Sequence, residues 1–137
     1  MIKLFVDSFM EQKKKLEEIY SKKHPFDYKE IVENVIKTID VKCNYNFPDP
    51  QKINVIDDKD YQRTLLFILR GKYLQRPMCW RYWAISIFYG TGCDYDTLQY
   101  IQSLSDEEIP TQQQINDYMQ LSLNVVQNII EIPRFFV

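Results

Sequence analysis

The sequence predicts an α+β fold, in which a small and mainly antiparallel β-sheet with a central hairpin is flanked by an N-terminal and a C-terminal helix pair. Segments rich in β-branched and aromatic residues cluster in the middle of the chain, and segments with helical periodicity lie on either side. Strands grouped in this way are typical of α+β folds, because βαβ units would alternate strands with helices. A chain of 137 residues has the size of one domain, so we expect a single domain over residues 1–137.

Two helices are predicted at the N-terminus. Apolar side chains recur at helical spacing over residues 3–23, and Pro25 is expected to end this helix. Asp27, with Glu30 three positions later, resembles a capping box that begins a second helix. The apolar positions are Phe5, Phe9, Leu16, Ile19 and Tyr20 in the first helix, and Tyr28, Ile31, Val32, Val35, Ile36 and Ile39 in the second.

The central part of the chain predicts the sheet. After a loop at residues 44–50, residues 52–56 form a short candidate strand. Residues 61–70 and 78–89 are dense in β-forming residues and are bounded by aspartates, glycines and a proline. They are predicted to pair as an antiparallel hairpin.

Two further helices are predicted after the hairpin. The first is short and carries Leu98, Ile101 and Leu104. The last is predicted to begin at Thr111, which forms a capping box with Gln114, and to end only at Pro133. Its expected apolar face consists of Ile115, Tyr118, Met119, Val125, Val126, Ile129 and Ile130.

Composition narrows the possible functions. Seventeen basic and nineteen acidic side chains give a net charge of -2, so general binding to nucleic acids is not expected. The chain has no apolar run of bilayer length and no signal-peptide pattern, so we expect no membrane association and a cytoplasmic location, in the host cytoplasm or the virion if the protein is viral. Its three cysteines lack metal-binding spacing and are expected to be reduced thiols. Abundant Ile, Lys and Asn with a single Ala are typical of an AT-rich genome, such as that of a phage, a large virus or a low-GC bacterium.

Catalytic motifs are missing from the sequence. It contains no phosphate-binding loop, no dinucleotide-binding glycine pattern and no HExxH segment, so no cofactor or metal is expected. The single histidine, His24, has no recognisable nucleophile beside it and is expected at the surface or as a capping residue.

Two acidic turns flank the predicted hairpin. Asp57, Asp58 and Asp60 precede its first strand, and Asp94 and Asp96 follow its second. The start of one strand and the end of its antiparallel partner lie at the same edge, so the turns are expected to face each other. Such carboxylates could bind a hard cation or act as acid and base. The alternative is structural, because Asp is a common turn residue and Asp94 or Asp96 could cap the next helix.

Two short segments beside these turns resemble a known family. Residues 60–67 read DYQRTLLF, and residues 89–99 read YGTGCDYDTLQ. They are similar to a family of small uncharacterised phage and bacterial proteins whose members read DYQGTLL and then YGSCSGCDTLQ. The two cysteines of that family are replaced here by Gly92 and Tyr95, so no thiol or metal role carries over.

The positions that match the family fall at the same edge of the hairpin as the acidic turns. A glycine turn, a capping aspartate and a packed leucine would also account for this segment as a structural corner. The candidate binding residues selected from the turns and from the resemblance are Asp60, Tyr61, Gln62, Asp94, Asp96, Thr97 and Gln99.

Three functions remain open at this point. The favoured hypothesis is a non-catalytic binding protein whose partner is another protein, for example a phage or viral accessory factor or an immunity-like inhibitor. The alternatives are a small enzyme or a ligand- or cation-binding protein with its site at the acidic edge, and a structural subunit of a viral or cellular assembly. Formation of a homo-oligomer is compatible with each of them.

Overall fold

A computed structural model of the chain describes residues 2–39, 48–58, 64–71, 82–88 and 97–132. The α+β class and the flanking helix pairs are confirmed. The helices are α1 (Ile2–Lys22), α2 (Tyr28–Ile39), α3 (Thr97–Gln102) and α4 (Gln112–Gln127). The strands are β1 (Pro48–Asp58), β2 (Thr64–Gly71), β3 (Tyr82–Phe88) and β4 (Ile130–Ile132).

The strands form one sheet in the order β1-β2-β3-β4, and every neighbouring pair is antiparallel. The predicted hairpin is confirmed, since β2 pairs with β3 from Thr64 opposite Phe88 to Arg70 opposite Tyr82. The candidate strand at residues 52–56 is also present but is longer than predicted. Its register against β2 shifts between Pro48 and Ile53, where β1 bulges.

The end of the last helix was predicted wrongly. α4 stops at Gln127, and the backbone N–H of Asn128 donates to the carbonyls of the helix's last turn. Residues 130–132 then form β4 and pair with residues 82–84 of β3. Isoleucines fit a strand better than a helix, and the neighbouring edge of β3 supplies the backbone partners that decide the conformation.

The helices cover one face of the sheet, and the core lies between the two layers. Buried and more exposed positions alternate along β2 and β3, as expected for strands with one covered face. The side chains that β1, β2 and β3 bury are Ile53, Phe67, Leu69, Trp83 and Ile85. α1 packs against α2 and α4, and α2 also contacts β1 and α4.

The predicted helix faces are largely confirmed. The whole predicted apolar face of α2 is buried, as are Phe5, Phe9, Leu16 and Tyr20 of α1. Ile19 is 38% exposed and lies at the margin of the α1 face. Leu104 lies beyond the end of α3 in an exposed turn.

Both predicted helix starts have the expected side-chain bonds. Thr111 accepts the backbone N–H of Gln114, and the Gln114 side chain accepts that of Thr111, which completes the capping box of α4. At α2, Asp27 accepts the N–H of Glu30, while the Glu30 carboxylate accepts the N–H of Phe26. Side chains at each helix start therefore satisfy backbone donors that the helix leaves unpaired.

His24 is not the surface or capping residue that we expected. Its side chain is half-buried between the two helix pairs. The ring atom Nδ1 lies 2.7 Å from the Tyr118 hydroxyl, and Nε2 lies 2.9 Å from the Glu107 carbonyl oxygen. Since a carbonyl only accepts, Nε2 carries the proton, and in the neutral ring Nδ1 accepts from Tyr118. His24 therefore joins the segment after α1 to the C-terminal helices.

No helix within the described ranges combines the length and the apolar character needed to cross a bilayer.

Candidate functional site

The structure describes only part of the predicted site. Thr97 and Gln99 lie on α3, where both are exposed. Asp57 and Asp58, which were expected in the first acidic turn, instead lie in β1, where they pair with Leu65 and Thr64 of β2. Thr64 also pairs with Phe88, so the ends of the hairpin strands do lie side by side. The other predicted site residues and the cysteines lie outside the described residues: Asp60, Tyr61, Gln62, Asp94, Asp96, Cys43, Cys79 and Cys93.

A cleft of about 380 Å³ lies where β3 ends and α3 begins. Its volume is near the lower end of the range for ligand sites, about 300 to 1,000 Å³. One wall is the last turns of α4, and the other is the end of β3. The lining residues are Tyr28, Ile31, Ser86, Ile87, Phe88, Thr97, Leu121, Asn124, Val125, Gln127 and Asn128. Of the two predicted site residues that the structure describes, Thr97 and Gln99, Thr97 lines this cleft.

The α4 wall presents carboxamides between apolar side chains. Leu121, Asn124, Val125 and Asn128 recur at three- and four-residue spacing, so they share one helix face. The Gln120 side chain donates to Oδ1 of Asn124 at 3.1 Å. This bond orients the Asn124 amide group, whose NH₂ remains a donor at the cleft.

Tyr28 connects the floor of the cleft to α3. Its hydroxyl accepts the backbone N–H of Leu98 at 3.0 Å, and its side chain is only 6% exposed. Since Leu98 and Thr97 are neighbours at the start of α3, the same bond holds Thr97 at the cleft. Tyr28, the first residue of α2, therefore positions Thr97, which directly follows Asp96 of the second predicted acidic turn.

The described lining of the cleft is uncharged, and Tyr28 is its single ionisable residue. Carboxamides and hydroxyls both donate and accept hydrogen bonds, and the leucine, valine and isoleucines supply apolar contact. Phe88 also borders the cleft and is 61% exposed. This composition is suited to neutral groups with hydrogen-bonding capacity.

Beside the cleft, no described residue pairs with the edge of β3 that faces away from β2. β2 pairs with the whole of β3, but β4 pairs only with residues 82–84. Along residues 85–88, no described strand lies on the side away from β2. Ser86, Ile87 and Phe88 of this segment line the cleft.

The middle of α4 forms a buried hydroxyl network. Ser122 donates to the Tyr118 carbonyl at 2.9 Å, so its oxygen accepts from the Tyr20 hydroxyl at 2.8 Å. Burial raises the pKa of Tyr118 to about 12 and also raises the pKa of Tyr20 above its ordinary value. These hydroxyls stay protonated; that of Tyr20 joins α1 to α4 through Ser122, and that of Tyr118 bonds His24.

Within the described parts of the chain, no group of three or more His, Cys, Asp or Glu side chains is placed to hold a metal ion. The acidic edge predicted from Asp60, Asp94 and Asp96 lies outside those parts.

Comparisons of the chain with protein-family models, with curated proteins and with solved structures found no match.

The sequence did not identify Asn124, Gln127 and Asn128 as site residues, and Tyr28 was assigned only to a helix face. A usable signal was the group of carboxamides near the end of α4, with no charged residue in the last turn. Recognising it as part of a site required knowing that this turn lies opposite the end of β3.

Proposed function

We propose that this chain is a non-catalytic protein-binding module that contacts its partner through the cleft between β3 and α4. The observation that carries the proposal is the make-up of that cleft, which combines carboxamides and hydroxyls with apolar side chains and has no charged side chain in its described lining. Interfaces depend on this mixture of apolar contact and satisfied hydrogen bonds, whereas charged residues are depleted from interface centres.

Acid–base catalysis requires a group that exchanges protons near the working pH. In the described lining, only Tyr28 is ionisable, and its hydroxyl accepts the Leu98 N–H at the start of α3. The lining therefore favours recognition over proton transfer. The resemblance at residues 60–67 and 89–99 is compatible with this proposal but names no partner.

Two pairs of exposed residues on α4 provide matched variants for a test. Asn124 and Gln127 line the cleft, while Asn116 and Gln113 lie on the same helix outside it. Asn116 accepts from Gln112 as Asn124 accepts from Gln120, so each double alanine variant removes one such bond, and the control variant also removes the bond of Gln113 to Asp117.

The tagged chain should be purified from cells of its source under native conditions as wild type, as Asn124→Ala with Gln127→Ala, and as Asn116→Ala with Gln113→Ala. We expect a stoichiometric partner protein with the wild type and the second variant, and its loss from the first. Equal recovery of that partner with all three proteins, or recovery of no partner at all, would contradict the proposed function.

A further inference from the structure

We infer that the partner binds this cleft as an extended, uncharged peptide segment that adds to the edge of β3 over residues 86–88, an inference that rests on the proposed function. The first observation is the short length of β4, which covers only residues 82–84 on this side of β3. Successive residues of an antiparallel strand aim their N–H and C=O groups alternately to either side. Either Ile87 or the pair Ser86 and Phe88 therefore directs both groups away from β2 and toward the cleft.

The open segment and the cleft have matching dimensions. Residues 86–88 extend about 10 Å at the usual rise per strand residue. The cavity of about 380 Å³ follows this edge, with Ser86, Ile87 and Phe88 on one side and the end of α4 on the other. It accommodates a single chain segment rather than a folded element. A short strand added to a sheet edge gains its affinity from main-chain hydrogen bonds.

The start of the opposite edge, residues 48–52 of β1, carries features that protect it against such pairing. In β1, Pro48 and Pro50 have no N–H, and the N–H of Gln51 already donates to Asp49 at 2.9 Å. Lys52 adds an exposed charge, and the bulge between Pro48 and Ile53 disturbs the register. Prolines, charges and bulges are the features that keep edge strands from pairing with other chains.

The open part of β3 has none of these features. Residues 86–88 read SIF, without proline or charge. The carboxamides of Asn124, Gln127 and Asn128 face this segment across the cleft. They can bond the outer N–H and C=O groups of an added strand.

The chemistry of the lining defines the peptide. Side chains of an added strand alternate between the two faces of the sheet, so every second one points toward Ile31, Leu121 and Val125. These positions should be apolar, because the described lining offers no counter-charge and burial of an unpaired charge is costly. The structure therefore assigns an extended segment with apolar residues at alternate positions.

The test uses a displayed library of random peptides, selected on the wild-type chain and counter-selected on the Asn124→Ala, Gln127→Ala double variant. Each residue of a selected peptide is then N-methylated in turn, which removes one N–H and leaves the side chain in place. We expect affinity to fall about tenfold at alternate residues and to change little at the residues between them. Equal losses at consecutive residues, or no selected peptide, would overturn the strand-addition inference.

Amide hydrogen exchange of residues 86–88 identifies the occupant of the edge. We expect exchange at the outward-directed N–H groups to be fast in the free protein and to slow at least tenfold with the selected peptide. Slow exchange without peptide at every protein concentration would show that another segment of this chain occupies the edge. Protection that grows with protein concentration would assign it to a second copy. Both results would overturn the peptide assignment.

The outcomes also separate this inference from the proposed function. A partner protein that depends on Asn124 and Gln127, combined with non-alternating N-methylation losses, would leave the function standing and remove the inference. Recovery of no cleft-dependent partner would remove the function itself.

Discussion

Glutamine carboxamides at the two ends of α4 have different surroundings, since one is buried and the other is exposed. Near its start, the carboxamide of Gln114 is fully buried and bonds Thr111, Ser105 and the Ile101 carbonyl. At its end, Gln127 is exposed and lines the cleft beside β3. A carboxamide with both donor and acceptor satisfied inside the protein stabilises the fold, whereas one that faces a cleft is available for recognition.

We call the part of α4 whose polar groups are satisfied inside the protein the closed region. It extends to the middle of the helix, where Tyr20 bonds Ser122 and Ser122 bonds the Tyr118 carbonyl. The lining of the cleft begins with Leu121, next to Ser122, and continues with Asn124 and Val125. One helix thus has a segment that holds the domain together and a segment that can bind a partner. Substitutions in the first segment should change the free energy of unfolding, and substitutions in the second should change binding.

The largest effect is expected at Gln114. Gln114→Ala leaves the Ile101 carbonyl and the Thr111 N–H without this partner, and it should lower the free energy of unfolding by about 2 to 4 kcal/mol. Urea denaturation monitored by circular dichroism measures the change. Gln113→Ala, at the neighbouring exposed position, should stay within about 0.5 kcal/mol of the wild type. A similar cost at both positions would remove the contrast between buried and exposed carboxamides.

A smaller loss is expected where α1 meets α4. Tyr20→Phe removes the hydroxyl that lies 2.8 Å from Ser122 Oγ, and it should cost about 0.5 to 1.5 kcal/mol, the usual net value of one internal hydrogen bond. Tyr100→Phe is the control, because Tyr100 is 56% exposed. Equal unfolding midpoints for Tyr20→Phe and the wild type would show that this bond does not stabilise the closed region.

The same network predicts a loss of stability at alkaline pH. Tyrosines of the unfolded chain ionise near pH 10, while burial raises the pKa of Tyr118 to about 12 in the folded protein. The unfolded state therefore releases its protons first, so stability is unaffected below about pH 10 and falls between about pH 10 and 12.

Denaturation midpoints at several pH values across this range measure the decline, and Tyr118→Phe should make it shallower. Tyr100→Phe should leave the slope of the wild type unchanged. If Tyr118→Phe only lowered stability by the same amount at every pH, the burial of the Tyr118 hydroxyl would not be the cause of the alkaline decline.

The smallest effect on stability is expected at the cleft. Asn124→Ala with Gln127→Ala should shift the free energy of unfolding by no more than about 0.5 kcal/mol, because both side chains are exposed. Thermal melts next to the matched Asn116→Ala, Gln113→Ala variant check this. A marked loss of stability specific to the cleft variant would mean that these carboxamides hold the fold, as Gln114 does.

Local sequence patterns determined most of the secondary structure. The apolar spacing of α2, the capping box at Thr111 and Gln114, and the density of β-forming residues in β2 and β3 each depend on neighbours within a few positions. Such short-range signals were sufficient for the fold class and for the central hairpin.

The outcome at residues 130–132 depended on a distant partner. Isoleucines at this position fit either the end of a helix or a strand, and only the edge of β3 at residues 82–84 selected the strand. His24 was misjudged for the same reason, since its partners Tyr118 and Glu107 lie far away in the sequence.

The sequence by itself therefore determined the α+β class, the helix starts and Thr97 as a candidate site residue. Only the tertiary structure decided that α4 ends opposite residues 86–88 of β3 and that Tyr28 holds the start of α3 there. The physical reason is that a cleft is made of surfaces from separate elements. Their juxtaposition follows from the packing of the whole core, which no local pattern of residues encodes.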